Sequence, residues 1–210
     1  MSDAITVREA DVPAAEVARW LTAGALVIVP TETVYGLAIT PGNAVSARRL
    51  FELKARPAEL NLPVVIGAVD QLRALGVDFD DRAKLLADHF WPGPLTLVLG
   101  FRRDDLRPQW LAGRAEVAIR FPGLPLLREV ALAAGPLLLT SANAHGTGPK
   151  RIAAEAVASL QGEVDYIVDG GLLSDTPSTI VNLRHTPARI ERVGAVSAAE
   201  LGTFLPVVTS

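Results

Sequence analysis

The stretch "VIVPTETVYGLA", Val27 to Ala38, decides how the rest of the chain is read. An apolar run stops at Pro30 and gives way to Thr31, Glu32 and Thr33, then to Tyr35 and Gly36, before any surface helix begins. A short unbroken apolar run reads as a strand buried on both faces, which requires helices above and below it. Polar residues just beyond such a strand stand where the ligand sites of open α/β sheets gather. Two readings stand at this point. Proline and hydroxyl residues end strands and satisfy local backbone groups, or the chain presents these side chains to a ligand.

Working outward, the same alternation recurs. A helix is expected from Pro13 to about Ala23, since "PAAEVARWLTAG" begins with proline and ends at Gly24; another covers Asn43 to about Lys54. "LPVVIG" reads as a strand, Val69 to Leu75 and Asp80 to Phe90 as helices, and "PLTLVLGF" as a further strand. Arg102 to Arg114 reads as a charged surface loop. "AEVAIRFP", "PLLLTSAN", "DYIVDG", "STIVNL" and "ARIERVG" supply strands, "LPLLREVALAAG" and Ala153 to Leu160 helices, and the end a short tail. Apolar strands interleaved with amphipathic helices predict one α/β domain with a mixed sheet.

Composition narrows the chemistry. Half of the 210 residues are hydrophobic and 20% are charged, so the chain carries enough apolar surface for a substantial core. A net charge of -3 gives no warrant for non-specific attraction to a polyanion. Without cysteine there is no disulfide, thiolate nucleophile or thiolate-held metal. His89, His145 and His185 are far apart and form no zinc pattern. The start, "MSDAITVREADVP", lacks the charged and apolar regions of a secretory leader, and no apolar run reaches spanning length; a cytoplasmic protein with no membrane association is the expectation. Neither GxxxxGK[ST] nor GxGxxG occurs.

Three strands end in similar punctuation: "VIVPTETVYG", "VAIRFPG" and "LLLTSANAHGTG". Their repetition predicts one composite pocket. Lys54 and Arg56 leave a helix end, following Arg48 and Arg49. They form either a solvated helix terminus or a phosphate clamp, with lysine as a point charge and arginine as a planar fork. Arg120 closes an otherwise apolar strand and therefore needs an anionic partner, from the protein or from a ligand. Thr140, Ser141 and Asn143 form a hydroxyl and amide cluster suited to phosphate oxygens or a base edge. Ser141 lacks the G-x-S-x-G elbow of a hydrolase, and His145 reads as an exposed histidine or a general base.

In combination, "VPTETVYGLA" from Val29, "KARP" at Lys54, "FWPGPLTLVL" from Phe90, "VAIRFPGLP" from Val117, "LLLTSANAHG" from Leu137, "DTPSTIVNL" from Asp175 and "ERVGAV" from Glu191 resemble the YrdC-type family of L-threonylcarbamoyladenylate synthases. The segments follow family order over nearly the whole chain. The resemblance implies a single YrdC-like catalytic domain over residues 1–210, with its motifs within about 12–196. It also implies a twisted mixed sheet, flanking helices, a concave central cavity and no additional C-terminal domain.

The implied activity is nucleotidyl transfer: L-threonine, bicarbonate or CO2, and ATP with Mg2+ give threonylcarbamoyl-AMP and pyrophosphate. The product feeds N6-threonylcarbamoyladenosine synthesis in tRNA through a separate transfer complex, with direct RNA contact a possibility. Carried over by position, Thr31, Arg120 and Ser178 would bind threonine, with Arg120 on its carboxylate. Lys54 and Arg56 would face the ATP phosphates as the catalytic charges, and Asn61, Ser141, Asn143 and Arg192 would contact ATP. No resident metal site is implied. Two departures stand out: His145 replaces a serine, and Ile66 falls where long-form relatives can carry a histidine near the threonine pocket. The alternatives are an RNA-binding paralogue without this activity and a carbamoyl-adenylate enzyme serving another acceptor.

Overall fold

The computed structural model describes residues 4–55, 61–102 and 105–209. In chain order the elements are β1 (Ile5–Arg8), α1 (Ala14–Thr22), β2 (Val27–Val29), β3 (Gly36–Ile39), α2 (Ala44–Lys54) and β4 (Val64–Val65). There follow α3 (Gln71–Ala74), α4 (Asp81–Phe90), β5 (Leu95–Leu99), β6 (Val117–Arg120), α5 (Pro125–Ala134) and β7 (Leu137–Ser141). The last third holds α6 (Ala153–Ala158), β8 (Tyr166–Asp169), β9 (Thr179–Asn182), β10 (Ala188–Arg192), α7 (Ala198–Gly202) and β11 (Val207–Thr209). The strands form one sheet in the order β1-β8-β2-β3-β7-β4-β6-β5-β9-β10-β11. It is mixed: β8 pairs parallel to β2, β4 to β6 and β5 to β9, while β2/β3, β3/β7 and β5/β6 are antiparallel.

The stretch read as a strand running into a polar loop is a β-hairpin. Val29 pairs with Gly36, Ile28 with Leu37 and Val27 with Ala38, so "PTETVY" is the connection between two adjacent strands. The end of the chain, expected to be a tail, contributes α7 and β11, which extends the sheet beside β10. The segment Arg102 to Arg114, expected as a surface loop, includes a short 3-10 turn over Gln109–Leu111 that sinks Leu111 completely.

In one half of the sheet, period-two burial distributes the strands between two cores. Val27, Val29, Ala38, Val65, Leu137 and Leu139 pack with α1 and α5 through Val17, Leu21, Leu127 and Val130. Leu26, Ile28, Leu37, Val64, Ile66 and Leu138 join the opposite core with Leu50 of α2 and Leu86 of α4. Both faces are covered there, which is why these strands read as unbroken apolar runs. Helix starts are locally encoded: Asn43 Oδ1 accepts from the N–H groups of Val45 and Ser46, and Asp80 Oδ1 from that of Ala83. No helix among the described residues is long and apolar enough to cross a membrane.

α1 and α5 cover only half of their face. On that same face the far half of the sheet exposes alternate residues: Thr96 and Val98 of β5, Ala118 and Arg120 of β6, and Ile180 of β9. Register places Arg120 between Val65 on one side and Thr96 on the other. The uncovered half floors the cavity.

Tyr35 ties the hairpin connection to the end of β8. Its hydroxyl donates to Gly171 O (2.7 Å) or to Asp169 Oδ1 (3.1 Å) and accepts from Gly170 N–H (3.0 Å). Burial, followed by the bond to Asp169, pushes its pKa up to about 12; burial and Glu16 do the same for Tyr166. An acid whose pKa rises on folding holds its proton in the native state while the unfolded chain loses it above pH 10. Stability is therefore retained below pH 10 and falls between pH 10 and 12. Urea midpoints measured across this range should fall with pH, and less steeply in Tyr35→Phe; an identical slope in the variant would exclude Tyr35 as a source.

Candidate active site

The cavity over the uncovered half of the sheet encloses about 450 Å³. Its wall is drawn from the hairpin connection (Thr31, Val34, Tyr35), from β6 (Ala118, Arg120), β7 (Leu139, Ser141) and β9 (Ile180), and from Asn61, Ser178 and Arg192. Six of the residues to which the resemblance gives a substrate contact thus meet here, Thr31, Asn61, Arg120, Ser141, Ser178 and Arg192, together with Thr140. Arg56 lies outside the described residues. Lys54 and Asn143 stand behind the wall.

Arg120 is 7% exposed, an unusual burial for a guanidinium. Its Nη2 donates to Thr33 Oγ1 at 2.8 Å and lies 3.1 Å from Glu32 Oε1. Nε is sealed without a partner, and among the described residues no group accepts from Nη1. The cation is thus anchored from the hairpin side and keeps donor capacity for the cavity.

Arg192 approaches from the other side. Its Nε donates to Ser178 O (3.0 Å) and its Nη2 to Ser178 Oγ (3.1 Å). Burial around the guanidinium, followed by the charge of Arg120, lowers its pKa. Two backbone features place it there. A register shift between Ile190 and Arg192 sets an extra residue against β9, so that Glu191 and Arg192, neighbours in sequence, both reach the cavity. At Gly194 a Cβ would come within 2.2 Å of Pro177 O, so only glycine lets this segment lie against Ser178.

Between the arginines, the hydroxyls of Ser178 and Thr96 share a hydrogen bond of 2.9 Å, and both residues are buried. Thr96 was not singled out from the sequence, because a lone threonine within "PLTLVLGF" carries no signal beyond a strand residue. Its register beside both Arg120 and Ile180 is what brings it to the centre of the floor.

The surroundings of three of these positions go beyond what the sequence shows. Thr31 lines the cavity, but its hydroxyl is engaged by its own turn, accepting from the N–H groups of Thr33 (3.0 Å) and Val34 (3.1 Å) and donating to Val34 O (2.8 Å). A hydroxyl has one proton and two lone pairs, so this one is engaged in shaping the turn. Ile66 is fully buried in the opposite core, and Val65 is the residue of β4 that meets the cavity. Lys54, expected as an open phosphate clamp, is 2% exposed. Its ammonium donates to the carbonyls of Ser141 and Asn143, while its own carbonyl accepts from His145 N–H at 2.7 Å.

Lys54 thereby latches the end of α2 to the "TSANAHG" loop. Asn143 completes the loop from within, its Nδ2 donating to Ala144 O (2.9 Å) and Thr147 O (2.7 Å). His145 is exposed and does not line the cavity.

Chemically, the site is a partly apolar trough whose polar centre holds two guanidiniums and two hydroxyls. Among the described residues Arg120 is the cation with a carboxylate at ion-pair distance, Glu32, which stands behind the wall, while Glu116 and Glu191 line the same cavity. A small carboxylate or a phosphate would complement the two guanidiniums. Among the described residues no group of three or more His, Asp or Glu could hold a metal ion.

Comparison with known proteins fits this geometry. Residues 19–194 match the Sua5/YciO/YrdC family, described as "Telomere recombination". A threonylcarbamoyl-AMP synthase of Pyrococcus abyssi is 34% identical over 187 residues, 88% of this chain and 54% of the relative. One from Pseudomonas putida is 33% identical over 170 residues, covering 80% of this chain and 91% of the relative. The structure of P. abyssi Sua5 complexed with L-threonine superimposes with a TM-score of 0.85 at 30% identity, over 99% of this chain and 63% of that one. This chain therefore spans about half the length of the Pyrococcus relative, and nearly all of the Pseudomonas one.

The Lys54 latch has a measurable consequence. Lys54→Met should lower unfolding free energy by about 2 kcal/mol, because two buried carbonyls lose a charged donor. Urea denaturation of the purified variant checks this, and an unchanged midpoint would place the ammonium elsewhere.

Proposed function

This chain belongs to the Sua5/YciO/YrdC family, and from that premise we propose that it is an L-threonylcarbamoyladenylate synthase. It would join L-threonine, CO2 or bicarbonate, and MgATP into threonylcarbamoyl-AMP, releasing pyrophosphate. The observation that carries this reading is the convergence of Arg120 and Arg192 on one uncovered patch of sheet beside the Ser178 and Thr96 hydroxyls. Such a centre suits an amino-acid carboxylate together with a phosphorylated co-substrate.

In this scheme Arg120 offers Nη1 to the threonine carboxylate. The threonine nitrogen adds to CO2 and loses a proton, giving an N-carboxylate. An oxygen of that group attacks the α-phosphorus of ATP, and the bond to pyrophosphate breaks. No protein nucleophile is needed, so the contribution of the chain is alignment, exclusion of water and stabilisation of charge gathering on phosphate oxygens. Arg192 is placed to supply that charge.

Asn61 and Ser141 would border the nucleotide. Asn143 and Lys54 would act from behind by fixing the loop that carries Ser141, and Arg56, outside the described residues, is carried over from the sequence as a phosphate contact. Magnesium would arrive on the triphosphate, an oxygen-ligand role that does not require a resident protein site. The product would pass in the cytoplasm to the separate complex that modifies tRNA.

Purified protein given MgATP, L-threonine and bicarbonate should form threonylcarbamoyl-AMP and pyrophosphate, with no product when any one is omitted. Mass spectrometry of the adenylate checks this, and a folded preparation giving no product would refute the assignment. Arg120→Ala should raise the half-saturating threonine concentration at least about tenfold, the size of one lost charge-assisted contact. An unchanged requirement would remove Arg120 from carboxylate recognition.

A further inference from the structure

Glu32 does not line the cavity, yet it touches the group at its centre. Its Oε1 accepts the Gly123 N–H at 2.7 Å and lies 3.1 Å from Arg120 Nη2. Three segments therefore meet at one carboxylate: the hairpin connection that carries Glu32, the end of β6 that carries Arg120, and the "FPG" turn that follows it.

The turn is shaped for this contact. A Cβ on Gly123 would stand 3.3 Å from Glu32 Cγ and Cδ, so glycine leaves the carboxylate room to lie against the backbone. On its other side the same turn is held by Arg128, whose Nη1 donates to Pro122 O (3.1 Å) and Gly123 O (2.5 Å). Glu32 thus bears on a braced support.

The ion pair is single. Glu32 Oε2 and Arg120 Nε are both buried and both lack hydrogen-bond partners. A bidentate pair would satisfy these atoms, and the protein forgoes it although an orphaned buried charged atom is costly. What the one-point contact does achieve is to hold Nη2, with Thr33 Oγ1 as the second anchor, while the Nη1 end of the guanidinium stays uncommitted. The charge of Glu32 also offsets that of Arg120, which faces the like charge of Arg192.

We propose that Glu32 is a positioning residue for carboxylate recognition, acting through Arg120 to aim the free end of its guanidinium at the bound amino acid. The inference rests on the proposed synthase reading and adds a residue to its amino-acid subsite. Glu32 touches no reacting atom. Its effect should therefore fall on the amino-acid substrate and spare the nucleotide.

The test uses Glu32→Gln, which keeps the side-chain volume and an acceptor for Gly123 N–H while removing the charge from Arg120, and Glu32→Ala, which removes both. Half-saturating concentrations of threonine and of ATP are measured separately for the parent and each variant, alongside thermal unfolding. The expected result is a rise of about fivefold for threonine in Glu32→Gln and more in Glu32→Ala, the size of one weakened charge-assisted hydrogen bond. The ATP requirement should stay within about twofold of the parent, a shift too small to represent a lost contact. A threonine requirement unchanged in Glu32→Gln, or threonine and ATP requirements that rise together, would overturn the proposal. An inactive parent protein would instead refute the synthase reading, so the two failures are distinguishable. Should Glu32→Ala not fold, the isosteric variant decides alone.

Discussion

Two guanidiniums held over one uncovered patch of sheet create an electrostatic problem that the surrounding structure is arranged to contain. A cation taken from water needs an opposite charge or a full set of hydrogen-bond acceptors. Arg120 has a carboxylate, Glu32, and a hydroxyl, Thr33. Among the described residues Arg192 is bonded to the carbonyl and hydroxyl of Ser178, with Arg120 as a like-charged neighbour. An anion bound between them would relieve both burial and repulsion.

Keeping that geometry is a matter of backbone, because most of the side chains involved sit at strand ends, where loops ordinarily move. Two buried side chains and one half-buried carboxylate each tie two such segments together. Tyr35 joins the hairpin connection to the end of β8, Lys54 joins α2 to the "TSANAHG" loop, and Glu32 joins the hairpin connection to the turn after β6. Each tie bonds at least one backbone group, so the loops are positioned before a ligand arrives. Preorganisation of this kind lowers the entropy lost on binding.

Much of the architecture was legible in the sequence because strands covered on both faces are unbroken apolar runs, and because Asn43, Asp80 and Pro125 mark helix starts by local hydrogen bonding or fixed backbone angle. β3 was hidden: four residues that begin with glycine look like the end of a loop, and only pairing with β2 and β7 makes them a strand. β1 and β11 lie at the sheet edges, half exposed, where the apolar signal is weakest.

At the site, Arg120 stood out because a charge at the end of an apolar strand is conspicuous. The burial of Lys54 was hidden for the opposite reason, since a lysine at the last turn of a helix looks solvated, and its burial depends on a loop 87 residues away. The shared position of Glu191 and Arg192 depends on a register shift that no spacing rule shows.

The central claim is that the uncovered patch recognises a negative charge through its paired arginines. Calorimetric titration of the parent protein with L-threonine and, separately, with L-threonine amide tests it directly, because the two ligands differ only at the carboxylate. The account predicts that the amide binds at least about thirtyfold more weakly, equivalent to the loss of a charge-assisted contact worth about 2 kcal/mol. Equal affinities would contradict it.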